Sequence, residues 1–288
     1  MPRADGKQKT LSMDPLGQAS RWLAAVRASE SERLDRLFND PLAVALAGPE
    51  GYGWLNRMEL AQLWSGPGLY VVIRTRFFDD FLLRRSWSAE ARQIVILAAG
   101  MDARAFRLDW PTHTRLYELD RPEIFAAKEP IVARSGAQAT CERHAIGVDL
   151  KRPSWSQALL NAGYEPQKQS AWLIEGLLFY MTEASVHALL EDAAALTASE
   201  SWLGADLVNR DLLRSPTMWP LLAAFARRGV AGRFGSNDPE ALFAKRGWKA
   251  VVTQPGEQEA NYSRWPYPVA SRELAGIPRI FLVRAQRV

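Results

Sequence analysis

Short apolar runs return along this chain with a rhythm that leaves few folds open. From Gln93 onward they are IVILA (94–98), TRLYELD (114–120), CERHAIGVDL (141–150), AWLIEG (171–176) and SWLGADL (201–207). Helical patterns fill the gaps at 123–133, 155–162 and 183–198. Short apolar runs closed by Gly or an acid read as buried strands, and strands alternating with helices build βαβ units around a parallel sheet. The tail adds two more runs, at 248–253 and 279–285. The expected fold class is α/β: a Rossmann-like, seven-stranded, mostly parallel sheet with helices on both faces.

The opening third has a different texture. Residues 1–17 read as a polar, disordered arm. Trp22, Leu23, Val26, Leu34, Leu37 and Phe38 recur at helical spacing, and Asp40-Pro41 opens a further helix, because Pro fits the first helical position. A second amphipathic helix is expected over 70–83, where Val71, Val72, Phe77, Phe78 and Phe81 interleave with Arg74, Arg76, Asp79 and Asp80. One domain over 18–288 is therefore expected, comprising a helical cap (18–90), a cofactor-binding core (91–208), a cap insertion after strand five (209–238) and the last strands (239–288). In an open α/β sheet, ligands sit beyond the carboxyl ends of the strands, where such an insertion can help roof a pocket.

Composition narrows the partners. The net charge is +4, with 36 Lys+Arg nearly matched by 32 Asp+Glu. The arginines are scattered, so the basic stripe of a nucleic-acid binder is missing. Cys141 is the only cysteine, which rules out an intrachain disulfide and fits a reducing compartment. The first twenty residues lack the apolar core of a secretory signal, and the apolar stretch 171–181 is broken by Glu175 and too short for a bilayer. A cytoplasmic protein without membrane or nucleic-acid partners is expected, acting on a small molecule as a monomer or homodimer.

Candidate chemistry gathers at the strand ends. Leu97-Ala98-Ala99-Gly100-Met101-Asp102 follows the first strand, a small-residue turn that lets backbone N–H groups approach a ligand, with Gly100 and Asp102 as candidate contacts. Glu118 and Asp120 close the second strand, where an α/β cofactor site places a carboxylate on ribose hydroxyls. Asp149, followed by Leu150, closes the third and Glu175 the fourth. A single strand-end acid is usually a surface residue or a helix cap. Acids at three consecutive strand ends line one crevice, and that crevice suits a sulfonium cofactor with an adenosine tail. Arg74 is the candidate for the cofactor's carboxylate, through a bidentate fork, against the alternative of an exposed helix arginine like Arg76. Tyr180, Asn209 and Arg210 follow the fourth and fifth strands and are the substrate-side candidates; no catalytic residue is assigned. His113, His144 and His187 are widely spaced, with no metal set among them. Trp22, Trp54, Trp64 and Trp219 either line an aromatic pocket in the cap or staple its helices together.

Taken in order, ILAAGMDARAFRLDWP, LYELDRPEIFAAK, GVDL and IEGLLFYM resemble the motifs of the leucine carboxyl methyltransferase-like family of class I methyltransferases. The chain looks most like the bacterial branch that includes polyketide O-methyltransferases of the tetracenomycin type. RTRFFDDFLL, SRWLAAVRASESERLDRLFNDPLAVALAG, DPEALFAKRGW and PRIFLVRAQ extend the resemblance from about residue 18 to the end. It implies S-adenosyl-L-methionine (AdoMet) as cofactor, with Arg74 on its carboxylate and Gly100 against its methionine part. Asp120 would hold the ribose with Glu118 supporting, Asp149 and the Leu150 backbone would recognise adenine, and Glu175 would sit near the amino group. The family often has Gly where this chain has Ala98 and Thr where it has Ala103, which implies tuned binding. The implied activity is methylation of a carboxyl or hydroxyl oxygen on a small molecule, a natural product such as a polyketide, in secondary metabolism. Two other readings share the cofactor residues: a non-catalytic AdoMet-binding sensor or scaffold, and an NAD(P)-dependent oxidoreductase. The second fits less well, because residues 98–103 spell A-x-G-x-x-A and not the fuller G-x-G-x-x-G.

Overall fold

The computed structural model describes residues 14–60, 67–87 and 92–288. Strands β1 (Gln93–Leu97), β2 (Arg115–Asp120), β3 (Glu142–Gly147), β4 (Ser170–Ile174), β5 (Trp202–Val208), β6 (Trp248–Thr253) and β7 (Ile280–Arg287) form one sheet in the order β3-β2-β1-β4-β5-β7-β6. Neighbours among β1 to β5 are parallel, and β7 runs antiparallel between β5 and β6. The chain steps outward from β1 to β3, then returns to β4 on the other side of β1. That reversal opens a crevice at the carboxyl ends of β1 and β4, the usual ligand position in such sheets. Register sets the ends level: Leu97 lies opposite both Leu119 and Ile174.

Each face of the sheet carries its own core. Val95 and Leu97 point to one side, where the helices Ser154–Asn161 and Glu183–Ala195 cover them with Trp155, Leu159, Val186 and Leu190. Ile94 and Ile96 point to the other, against Ile73, Phe77, Phe78 and Phe81 of helix α3 (Pro67–Trp87). This alternation follows from the two-residue period of a strand, and it requires apolar residues at every position of a strand covered on both faces.

The N-terminal helices form a third cluster. Helix α1 (Pro15–Ser31) packs on α2 (Ala43–Leu60), which bends at Gly48-Pro49. Residues 1–13 of the expected arm lie outside the described residues, but residues 14–17 are not an arm. Asp14 caps α1 by accepting the Gly17 N–H at 2.9 Å, with Pro15 as the first helical residue. The same Asp-Pro pair at Asp40-Pro41 lies just ahead of its helix, which begins at Ala43. Other boundaries shift too. β1 ends at Leu97, because Ala98 adopts a left-handed φ of 57°. β3 stops at Gly147, since Asp149 turns the chain by accepting the Lys151 N–H at 3.0 Å. No helix among the described residues is long and apolar enough to cross a membrane.

Candidate active site

The turn after β1 is locked to the end of β2. Ala99 N–H donates to the Leu119 carbonyl at 3.1 Å, and Gly100 N–H donates to Asp120 Oδ2 at 2.7 Å. Asp120 Oδ1 accepts the Arg121 N–H at 2.7 Å. Burial lifts the Asp120 carboxyl above the usual carboxylate range, although both backbone N–H groups favour its charged form. Gly100 has φ of 51°, and a Cβ there would stand 2.9 Å from Ser20 Cβ of α1. Left-handed geometry and close approach together explain why glycine sits at this point.

A cavity of about 360 Å³ opens beyond this turn. Its lining includes Arg74, Gly100, Asp102, Asp120, Asp149, Leu150, Glu175 and Tyr180, so seven of the eight expected cofactor residues and one substrate-side candidate come together. The exception is Glu118. Its carboxylate is fully buried behind the site, accepting from Lys128 Nζ at 2.6 Å and from Arg143 NH2 at 2.8 Å. A carboxylate enclosed in this way needs cations around it, and they keep it from the ligand side. A wider, shallower hollow of about 720 Å³ lies at the amino ends of β1 and β2, beside His113 and Arg115, and carries none of the strand-end acids.

Helix α1 covers the cavity along its length. Its Asp14 end is paired with Arg121 (Oδ1 to NH2, 2.6 Å), its middle meets Gly100 through Ser20, and Arg27 NH2 near its far end donates to the Met101 carbonyl at 2.6 Å.

Arg74 is not an exposed helix arginine. It is 6% exposed; its Nε donates to Glu175 Oε1 at 2.8 Å and its NH1 to Asp206 Oδ2 at 3.0 Å. Burial opposes its charge, but Asp206 and Glu175 more than offset that and raise its pKa. The other Glu175 oxygen pairs with Arg104 NH1 at 2.8 Å. Arg104 also bonds Asp102 and, through Nε, Asp79 at 2.7 Å. From Asp79 the ion pairs continue through Arg107 and Asp40 to Arg27. Asp102 is buried, which disfavours its charge, yet Arg104, Lys128, Arg107 and Arg27 hold its carboxyl at about 2.

Of the substrate-side candidates, only Tyr180 reaches the cavity. Burial pushes its phenol up to about 12, so at neutral pH it is a hydrogen-bond donor and not a base. Asn209 is instead a structural cap. It accepts the Leu212 N–H at 3.0 Å to start the helix Arg210–Arg214 and donates to the Ile277 carbonyl at 2.8 Å. Arg210 points to the surface, where its NH2 pairs with Glu183 at 3.1 Å. No histidine lines the cavity. The expected insertion (209–238) does not line it either. It backs the roof: Phe225 packs edge-on against Trp22 and Trp54, which stack on each other at 5.8 Å. Those two indoles staple the cap, and Trp22 also reaches the cavity. Trp219 is exposed, and Trp64 lies outside the described residues.

Sequence reasoning missed Arg27, Asp79, Arg104, Arg107 and Asp206 as parts of this network. Among these, Asp79 on α3 carried a signal of the same kind as Arg74. Arg74 shares a helix face with Phe77, Phe78 and Phe81, and Asp79 shares one with Val72, Thr75 and Leu82, so both charges are carried inward. Nothing local marked Asp206, which lies in the middle of an apolar strand.

Known proteins resemble this chain in sequence and in fold. A family model described as leucine carboxyl methyltransferase matches residues 21–194. A relative from Parafrankia sp. (strain EAN1pec), named as an S-adenosyl-L-methionine-dependent methyltransferase, is 39% identical over 94% of this chain and 87% of its own. A relative of the same name from Saccharopolyspora erythraea is 36% identical over 86% of this chain and 88% of its own. The solved structure of a DUF574 family protein from Streptomyces avermitilis matches the fold with a TM-score of 0.65, covering 94% of this chain and 97% of that one at 11% identity.

Proposed function

Because the chain belongs to the leucine carboxyl methyltransferase family and is an AdoMet-dependent methyltransferase, we propose that the cavity beyond β1, β2 and β4 is its cofactor slot and that it methylates an oxygen of a small molecule. Membership sets aside the oxidoreductase and binding-only readings. The observation that carries the proposal is the convergence of Asp120, Asp149 and Glu175, from three strand ends, on one cavity floored by the Gly100 turn.

These residues fit AdoMet. Asp120 would meet the ribose hydroxyls, Asp149 and the Leu150 backbone the adenine, and Arg74 the carboxylate, with Glu175 beside it toward the ammonium group. The left-handed Gly100 turn leaves room for backbone approach that a side chain would close. The bound cofactor supplies an electrophilic methyl group on a sulfonium, and the chain has only to bind, orient and exclude water. Helix α1 covers the slot, and the ion-paired Arg74 and Glu175 are held in single orientations by their neighbours.

The acceptor is best read as a carboxylate. The cavity lining holds no histidine, and Tyr180 keeps its proton, so an oxygen that is already ionised needs the least help. Tyr180 would then donate a hydrogen bond that orients the acceptor. Its natural source would be a natural-product acid such as a polyketide. Purified protein is to be incubated with methyl-labelled AdoMet and a matched panel of aromatic acids and phenols. Label appearing as base-labile methyl ester supports the carboxylate reading, whereas transfer to phenols alone, rising with pH, overturns it.

A further inference from the structure

The ion-pair network behind the slot is not balanced. Four guanidinium groups, Arg27, Arg74, Arg104 and Arg107, are linked to five carboxylates, Asp40, Asp79, Asp102, Glu175 and Asp206. The neighbouring cluster of Lys128 and Arg143 with Glu118 and Glu129 is formally neutral and leaves that excess of one negative charge in place. Asp206 is the member that makes the arrangement unusual. It is 8% exposed and absent from the cavity lining, yet it makes three bonds at the edge of the site. Its Oδ2 accepts from Tyr70 Oη at 2.7 Å and from Arg74 NH1 at 3.0 Å, and its Oδ1 accepts the Gly176 N–H at 2.6 Å. Arg74, with one positive charge, therefore faces two carboxylates. Gly176 follows Glu175 directly, has φ of 66°, and would bring a Cβ to 3.3 Å from Arg74 NH1, so the three groups are tightly seated.

We propose that Asp206 is a specificity-determining residue that makes the slot prefer the sulfonium cofactor over its thioether product, S-adenosylhomocysteine (AdoHcy). The inference rests on the assignment of the cavity as the AdoMet slot. The amino-acid end of either ligand carries one carboxylate and one ammonium group, which cancel. The two ligands differ by one positive charge: when the methyl group leaves, sulfur keeps the electron pair of the broken C–S bond and becomes neutral. A slot with a fixed negative excess in a water-poor setting stabilises the charged ligand selectively and relaxes its hold on the product. Asp206 acts through its charge, because it lies behind the cavity lining and reaches the slot only through Arg74 and Gly176. It also acts as a positioning residue, because it fixes Arg74 and the Gly176 turn.

The test separates the two roles. Dissociation constants for AdoMet, AdoHcy and sinefungin (an analogue with an ammonium-bearing carbon in place of the sulfonium) are measured by calorimetry for wild type, Asp206→Asn and Tyr70→Phe. Asp206→Asn keeps an acceptor for Gly176 while removing the charge. It is expected to weaken AdoMet and sinefungin at least about five-fold more than AdoHcy. Tyr70→Phe leaves the charge and is expected to change all three alike. Equal losses for all three ligands in Asp206→Asn, or an unchanged ratio, overturn the proposal. Should that variant fail to fold, the wild type decides, since sinefungin binding no tighter than AdoHcy is also contrary to it. Asp120→Ala serves as the separate check on the slot. Undiminished binding there refutes the slot assignment, whereas weakened binding with an unchanged Asp206→Asn ratio refutes only this inference.

Discussion

Asp120 and Gly100 are joined by a 2.7 Å hydrogen bond from the Gly100 N–H to the Asp120 carboxylate. Twenty residues apart in sequence, they tie the turn after β1 to the end of β2. The acid expected to meet the ribose thus also shapes the turn expected to meet the methionine part, and a change at one is felt at the other.

Asp120→Ala is accordingly expected to weaken AdoMet binding at least several-fold and to destabilise the fold by about 1–3 kcal/mol, because two backbone N–H groups lose their acceptor. Calorimetry and urea unfolding measure the two effects. Wild-type affinity in the variant would remove Asp120 from the slot.

Arg74→Met removes the cation shared by Glu175 and Asp206. Breaking buried pairs from one side leaves uncompensated charge, so a loss of about 3–5 kcal/mol is expected along with weakened binding. Arg74→Lys, which keeps the charge but not the fork, should recover part of the stability and little of the binding. A fully stable Arg74→Met protein would mean that the two acids are satisfied without it.

Ala98 has φ of 57° in the turn after β1. Residues other than Gly, Asn and Asp seldom take this conformation, at a cost of about 1–2 kcal/mol. Ala98→Gly is expected to raise stability by about 1 kcal/mol, after allowing for the greater freedom of glycine in the unfolded chain. Thermal unfolding checks the sign, and a lower Tm would contradict the strained turn.

Acid should act on the network behind the slot. Against the cost of burial, Arg104, Lys128, Arg107 and Arg27 hold Asp102 at about 2, compared with 3.8 for an ordinary aspartate. A carboxyl depressed in the folded state contributes stability that is complete above its unfolded value and is lost as pH falls through its folded one. About 2 kcal/mol should therefore disappear between about pH 4 and pH 2. Asp102→Asn is expected to be less stable at neutral pH and to show a shallower acid limb. Parallel curves of stability against pH for the two proteins would show that Asp102 is not depressed.

Local sequence specified the seven strands, their alternation with helices, and the positions of Asp120, Asp149 and Glu175 at or just beyond strand ends. These follow from local periodicity and from the requirement that a strand covered on both faces be apolar throughout. Asp14-Pro15 carries the helix-start signal of α1 as well, although residues 1–17 are expected above to be an arm. Tertiary packing set which of the strand-end acids open on the cavity and which are enclosed behind it. Glu118 and Asp120 are two residues apart on one strand, yet one is enclosed by Lys128 and Arg143 and the other opens on the cavity. The same holds for Asn209, which follows β5 as a helix cap, and for Asp206, which reaches Tyr70 and Arg74 from more than 130 residues away. Side-chain alternation places a residue on a face, but its chemistry is set by the charges that distant segments bring beside it.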